Sequence, residues 1–361
     1  MKTRRITGGI LGVLGLLGVA GIPFSAVAQE SGNSAPKIVV EADGTVDAPA
    51  RSVPLSVVLS PEAKAYVIEH LRDMENPDKL KSDGGVPRFM KHYLERDMEN
   101  FPLDRKDTEI AGVHVYDYTP KAGIVARNKR RVLINLHGGG FSGCWPGCAE
   151  LESIPVASMM GVRVVSVDYR EGPTYKFPAA SEDAAKVYQA LLKEYKPSNI
   201  GIYGCSAGGM LTAMSLAWFQ THGLPRPGAD GIFCAGAGSF AGDAAYIAYP
   251  LGESRIPANG PSQSRLGYLS DTNADDPLVS PAASTAVLAK FPPTLLITGT
   301  RDFAMSGAIH TDALLTKAGV HSELHVWDGL FHGFFYNTDV PESKEAFDVM
   351  VKFFDRHLGK D

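Results

Sequence analysis

Cysteine and positive charge are both in short supply in this chain. Four cysteines among 361 residues are too few for a disulfide-built scaffold, so a hydrophobic core has to hold the fold. Lysine and arginine number 35 against 40 aspartates and glutamates, a formal net charge of −5. That balance excludes an evident binder of nucleic acid or of an anionic membrane surface. Disorder is excluded too: 44% of the residues are hydrophobic and only 21% charged, which at this length supplies one large core, or a core and a lid.

Residues 1–28 differ in kind from the rest. Lys2, Arg4 and Arg5 precede an apolar run over 10–22, and Ala26-Val27-Ala28 supplies small residues at a cleavage point. The pattern predicts a secretory signal peptide, because the run is short for a membrane span. The mature protein is then expected to be exported, periplasmic or secreted, with no membrane span. Removing the three leader cations takes the formal charge from −5 to −8. An oxidising destination permits disulfides. Cys144 and Cys148 flank Trp145-Pro146-Gly147, a turn-forming tripeptide that can bring them within bridging distance. Cys205 and Cys234 fall in or beside predicted core strands and read as small buried apolar side chains.

Residues 29–55 have no helical period and read as an extended lead-in. Ser60-Pro61-Glu62 predicts a helix start with Ser60 as N-cap, and a second short helix is expected over 87–98. Neither belongs to an alternation of strands and helices, so this part reads as a covering element. From Ile110 the alternation begins. Strands are expected over 113–118, 132–136, 162–167, 200–203, 231–235, 294–298 and 322–327. Helices are expected over 150–160, 179–195, 210–220, 306–318 and 342–358. The class is α/β, with a mostly parallel sheet and helices on both faces. Between 236 and 276 the alternation lapses for about forty residues, a length that in a compact domain marks a functional lid.

Gly204-Cys205-Ser206-Ala207-Gly208-Gly209 sits between the strand at 200–203 and the helix at 210–220. A serine on such a strand-to-helix elbow has its hydroxyl exposed to a cleft while the next N–H faces a developing oxyanion. His137-Gly138-Gly139-Gly140-Phe141 follows another strand, and successive glycines leave backbone N–H groups bare at the sheet edge, as an oxyanion hole requires. Serine is a poor nucleophile at neutral pH and needs a histidine base oriented by a carboxylate. Asp302 and His332 each follow a predicted strand, and the order Ser206, Asp302, His332 is that of α/β-hydrolases. Asp328 and Glu323 are rival acids near His332, ranked behind Asp302. His321 and His325 share a strand face, but no third ligand is placed with them, so no metal and no cofactor are expected.

His137 to Phe141, the Gly204 to Gly209 elbow, Asp276-Pro277-Leu278-Val279-Ser280-Pro281, Asp302 and His332 together resemble the hormone-sensitive-lipase family of α/β-hydrolases, bacterial carboxylesterases included. The likeness runs from about Ile110 to the C-terminus. It implies Ser206 as nucleophile, His332 as base and Asp302 as its orienter, with Gly139, Gly140 and Ala207 donating the oxyanion N–H groups. It also implies a helical cap built from 56–105 and from an insertion at 237–275 within a catalytic domain spanning 106–361. Glu171-Gly172-Pro173-Thr174 departs from the family's usual Leu-Ala-Pro-Glu, and Cys205 stands where members often carry Asp or Thr. The expected activity is that of a serine carboxylesterase acting through an acyl-enzyme on short- to medium-chain acyl esters or lactones, small-molecule substrates. Phe141, Phe331 and Phe334 are expected to crowd a short substrate pocket. An amidase or peptidase on the same fold, and a non-catalytic small-molecule-binding homologue, are the alternatives.

Overall fold

The computed structural model describes residues 38–48, 50–240, 242–254 and 267–359. The leader predicted over 1–28 and residues 255–266 of the expected cap insertion lie outside them. The chain divides into two compact units, 1–52 and 53–361. The described part of the first holds a small antiparallel pair, β1 (Val39–Val40) and β2 (Val46–Asp47). All that follows concerns the second.

This unit opens with α1 (Pro61–Met74), which starts as the sequence predicts. Pro61 takes the first position, where its missing N–H costs nothing, and the Ser60 hydroxyl accepts the Ala63 N–H at 3.0 Å. A hairpin of β3 (Ser82–Asp83) and β4 (Val86–Pro87) leads into a turn of 3₁₀ helix (Arg88–Met90) and α2 (Lys91–Asn100). The second helix therefore begins later than expected, because the 3₁₀ turn takes up its first residues.

The main sheet then forms from β5 (Leu103–Ile110), β6 (Val113–Pro120), β7 (Val132–Leu136), β8 (Arg163–Val167), β9 (Ile200–Cys205), β10 (Ala229–Phe233), β11 (Thr294–Arg301) and β12 (Ser322–Phe331). Its eight strands run in the order β12-β11-β10-β9-β7-β8-β6-β5. All neighbours are parallel except β5 with β6 and β6 with β8. The intervening helices are α3 (Gly147–Met160), α4 (Ala179–Leu191), α5 (Ala207–Thr221), α6 (Asp243–Glu253), α7 (Thr285–Leu288), α8 (Met305–Lys317) and α9 (Pro341–His357).

Strand β5 is a correction to the sequence reading, which started the sheet at Ile110 and left 103–105 to the cap. Its sequence, Leu-Asp-Arg-Lys-Asp-Thr-Glu-Ile, is charged because an edge strand faces water on most of its surface. The second correction is α6, which forms where the sequence reading found no period, with Pro250 inside it.

The central strands β7, β9 and β10 are buried along their whole length, as a parallel sheet covered on both faces requires. Leu133, Tyr203, Phe233 and Leu295 point to the face covered by α3 and α9. Ile134, Ile202, Ile232 and Leu296 point to the face of α4, α5 and α8. Since side chains alternate along a strand, each strand serves two cores.

One close approach positions the functional end of the sheet. A Cβ at Gly208 would stand 1.7 Å from the Leu136 carbonyl oxygen, and one at Gly204 would stand 2.0 Å from the same atom. Strand β7 thus touches both sides of the β9–α5 elbow, and only glycine fits. Gly208→Ala is expected to lower Tm by about 5 °C or more, through overpacking that cannot relax against backbone. Gly223, at φ 67° with no atom within 4 Å of a built Cβ, is the control. Its alanine variant meets only left-handed strain of about 1 kcal/mol and should melt within about 4 °C of the parent. Equal Tm for the two variants in a thermal melt would contradict the packing argument.

Candidate active site

Ser206 has φ 57° and ψ −121°, a conformation that costs a non-glycine residue about 1–3 kcal/mol and persists only when its surroundings over-determine it. The Leu136 contact and the Ser206 N–H, which donates to the Phe233 carbonyl at 2.8 Å, provide that restraint. The turn lifts the hydroxyl into a cavity of about 490 Å³ that His332 also lines.

The other candidate residues arrive at the same edge because they follow parallel strands: His137 after β7, Asp302 after β11 and His332 after β12. Asp302 is wholly buried. Its Oδ1 accepts His332 Nδ1 at 2.7 Å and the Ala304 N–H at 2.8 Å, and its Oδ2 accepts the Thr298 hydroxyl at 2.8 Å. Burial alone would raise the carboxyl pKa, but the charge and hydrogen bond of His332 and the two further donors bring it below the ordinary value. Burial pulls the His332 ring down, and the Asp302 charge and hydrogen bond more than reverse this, leaving its pKa above the usual value. Among the described residues no hydrogen bond joins Ser206 Oγ to His332. Such bonds are often long in a resting enzyme and tighten when substrate arrives. Phe303 stacks on the His332 ring with centroids 4.1 Å apart and limits where it can swing.

The rival acids serve elsewhere. Asp328 accepts the hydroxyls of Ser56 and Thr300, the latter at 3.1 Å. Glu323 is held by Arg356 and His321.

The glycine loop after β7 is a left-handed excursion: Gly139, Gly140 and Phe141 have φ of 122°, 66° and 56°. At Gly139 a Cβ would lie 2.0 Å from the Gly143 carbonyl oxygen, so the loop closes tightly on itself. Gly139, Gly140 and Ser206 line one cavity, with Ala207 next to the serine at the start of α5. His137 supports the loop from below. Its Nδ1 donates to the Gly138 carbonyl at 2.7 Å, its ring stacks on Tyr169, and the Tyr169 hydroxyl donates to the His137 carbonyl at 2.6 Å. Burial lowers the His137 pKa to about 4, so this imidazole is neutral at working pH. Cys144 and Cys148 are joined in a disulfide, with Cα atoms 5.3 Å apart, and both line the cavity wall just beyond the glycines.

The cavity roof comes from α1, the β3–β4 hairpin, the turn before α2, and α6, through Tyr66, His70, Leu80, Phe89, Met90 and Tyr249. Of the three expected pocket phenylalanines only Phe331 lines it, stacked face to face on His70 at 3.5 Å. Phe141 and Phe334 do not. The left-handed turn at Phe141 drops its ring beneath the loop onto Tyr268, and the 3₁₀ turn Phe334–Tyr336 buries Phe334 against Trp327 and Phe335.

Sequence reasoning also missed Glu152, whose buried carboxylate touches the loop and the elbow. A glutamate inside the apolar stretch of α3 is the one signal that could have pointed to it. Two groups of metal-ligating atoms gather among the described residues. Cys234, Asp302 and His332 form one, where the carboxylate is already committed to the imidazole. The other, His321, Glu323 and His357, supplies a third donor beside His321 that the sequence did not place there. Arg356 covers both Glu323 oxygens, at 2.7 and 2.6 Å, so that carboxylate already holds a cation.

The acid is the member of the set that rests most on tertiary contacts. Asp302→Asn should retain the fold but lower kcat by roughly 10³–10⁴, the scale of losing the triad's negative charge. Asp328→Asn should change kcat by less than about tenfold. Steady-state kinetics on a p-nitrophenyl ester decides, and the reverse ranking would remove Asp302 from the site.

Comparison with known proteins agrees with this fold. The model of a family described as having the alpha/beta hydrolase fold matches residues 133–336. An acetyl-hydrolase of Streptomyces hygroscopicus is 29% identical over 244 residues, 65% of this chain and 79% of that protein. An esterase of Acinetobacter venetianus is 26% identical over 286 residues, 74% and 88% of the two chains. Among solved structures, esterase E25 superposes with a TM-score of 0.74 at 26% identity, covering 86% of this chain and 98% of its own. An esterase from the bacterial hormone-sensitive-lipase family shares the fold at a TM-score of 0.69 and 24% identity, over 83% and 99%. With strands, elbow, glycine loop and acid–histidine pair in their places, the chain belongs to the α/β-hydrolase-fold family, in keeping with the hormone-sensitive-lipase resemblance of its motifs.

Proposed function

We propose that this protein is a serine carboxylesterase that hydrolyses short- to medium-chain acyl esters through an acyl-enzyme. The observation that carries the reading is the Asp302–His332 hydrogen bond of 2.7 Å beside a strained Ser206 in one cavity. Asp302 keeps the proton on His332 Nδ1, so Nε2 is free to take the proton of Ser206 Oγ as that oxygen attacks the ester carbonyl. The carbonyl oxygen becomes an oxyanion within reach of the N–H groups of Gly139, Gly140 and Ala207. These donors need no reorganisation when the charge forms, and one such donor is worth about 10²–10³ in rate. Collapse expels the alcohol, protonated by His332, and leaves the acyl group on Ser206. Water activated by the same histidine then releases the acid.

The roof supports a preference for small acyl groups. A cavity of about 490 Å³ bounded by Leu80, Phe89, Met90 and Phe331 suits a compact apolar chain, and the acetyl-hydrolase and esterase relatives act as their names state. Export, expected from residues 1–28, would supply the oxidising conditions in which the Cys144–Cys148 bridge is retained.

Two measurements check the reading. A fluorophosphonate should label Ser206 stoichiometrically, since only an activated serine attacks phosphorus quickly; undiminished labelling of Ser206→Ala would overturn the mechanism. Across p-nitrophenyl esters, kcat/KM should be highest for acyl chains of about two to eight carbons. Equal activity on emulsified triolein would contradict a small acyl pocket, and faster turnover of the matching anilide would favour an amidase.

A further inference from the structure

Glu152 has no place in the serine mechanism, yet its side chain is buried beneath the site and bonds the segments that carry the glycine loop, the nucleophile and the turn after His332. It projects from α3 with 1% of its surface exposed. Oε1 accepts the Gly138 N–H and the Tyr336 hydroxyl, both at 2.8 Å. Oε2 accepts Asn135 Nδ2 at 2.8 Å and the Cys205 N–H at 3.2 Å. Those donors belong to the end of β7, the oxyanion loop, the residue before the nucleophile, and the turn just beyond His332. The packing around them is tight: a Cβ at Gly138 would meet Cys205 O, Tyr336 Oη and Glu152 Oε1 at 3.2–3.3 Å.

We propose that Glu152 is a positioning residue whose ionised carboxylate clamps the oxyanion loop to the nucleophile elbow and to the histidine turn. This rests on the serine-esterase reading above and adds to it the group that holds the pieces in register.

The donor set dictates the charge state. Four donors on two oxygens match a carboxylate, which only accepts. A protonated acid brings a fifth hydrogen into a place that already has four. Asn135 offers the outlet, because its Oδ1 is buried without a partner: a flip of the amide turns that oxygen toward the new O–H. The Gly138 and Cys205 N–H groups are backbone and cannot turn, so protonation loosens the clamp at Asn135 and Tyr336. The ionisable groups around the carboxylate are Tyr203 and Cys205 on β9, Tyr169 after β8, Tyr336, and His332 after β12. None supplies a compensating cation except His332 when protonated, and Arg105 on β5 pairs with Glu150, two residues earlier on α3. Burial consequently outweighs the four hydrogen bonds and raises the carboxyl pKa to about 7.

Glutamine at this position keeps the shape and spoils the clamp. Its oxygen can satisfy Gly138 and Tyr336 and its NH₂ can meet a flipped Asn135, but the Cys205 N–H then faces another donor, next to the nucleophile. Glu152→Gln should therefore lower kcat by about 10²–10³ with KM changed less than about threefold, the pattern of an interaction needed in the transition state. The pH profile gives a readout that a merely structural role would not move. In the parent the acid limb of log kcat/KM should steepen toward a slope of two, one proton for His332 and one for Glu152. In Glu152→Gln it should have a slope of one. The same slope in both proteins, or activity within about threefold of the parent, would overturn the proposal. If Glu152→Gln does not fold in a thermal melt, Tyr336→Phe carries the test. Losing one donor to the ionised form should lower kcat about three- to tenfold and displace the acid limb upward by about half a pH unit; an unmoved limb would overturn the proposal. Ser206→Ala, assayed alongside for turnover and fluorophosphonate labelling, reports on the serine reading separately from either outcome.

Discussion

The contact on which the site depends is between the Leu136 carbonyl and the two glycines of the elbow. A backbone oxygen lying where a Cβ of Gly204 or Gly208 would be brings β7 and the β9–α5 turn closer than any side chain would permit. Two results follow from that one approach. The residue between the glycines is held with φ 57°, and the glycine loop leaving β7 is delivered beside it. The proposed nucleophile and oxyanion donors are therefore set by backbone packing within a sheet whose central strands are fully buried. The about 1–3 kcal/mol of strain at the serine is sustained by that packing.

Electrostatics completes what packing begins, with two buried carboxylates in opposite situations. Asp302 has a titratable partner at 2.7 Å and two further donors, so its ionised form is favoured and the histidine beside it is kept in the correct tautomer. Glu152 has donors from four segments and no cation bonded to it, so its ionised form is costly in a region of low dielectric. The first acts on chemistry through the imidazole. The second acts on geometry, by tying segments that meet only at this end of the sheet. His137 and His70, each pushed down to about 4 by burial, stay neutral and add shape without charge: one stacks under the oxyanion loop, the other against Phe331 in the roof.

The roof illustrates how a pocket can be built from pieces that carry little sequence signal. Helix α6 has a proline within it and alanines along it, and β3–β4 is a hairpin of two-residue strands. Their contribution is to stand over Ser206, and neither propensity nor period expresses that. The same is true of β5, whose charges belong to an exposed edge.

What the sequence determined by itself was the alternation of the central strands and helices and the turn chemistry at their ends. Apolar runs punctuated by glycine placed β7, β9, β10 and β11 close to where they lie, and parallel strands must bring the residues after them to one edge. Hence Ser206, Asp302, His332 and the Gly138–Gly140 run could be read together before any distance was known. The turn between Cys144 and Cys148 made their bridging possible to read, and the folded chain closes it. Tertiary structure decided what depends on side-chain direction and on elements far apart in the chain. Phe141 and Phe334 flank the motifs as Phe331 does, yet their backbone turns aim them into the core, and His70, 262 residues from His332 in sequence, comes to line the cavity instead. Glu152 shows the limit most plainly. The second of two glutamates in an apolar helix, it looks like an ordinary exposed charge until β7, the glycine loop, the elbow and the histidine turn converge on it, because only the assembled sheet edge supplies the four donors that let a carboxylate stay buried there.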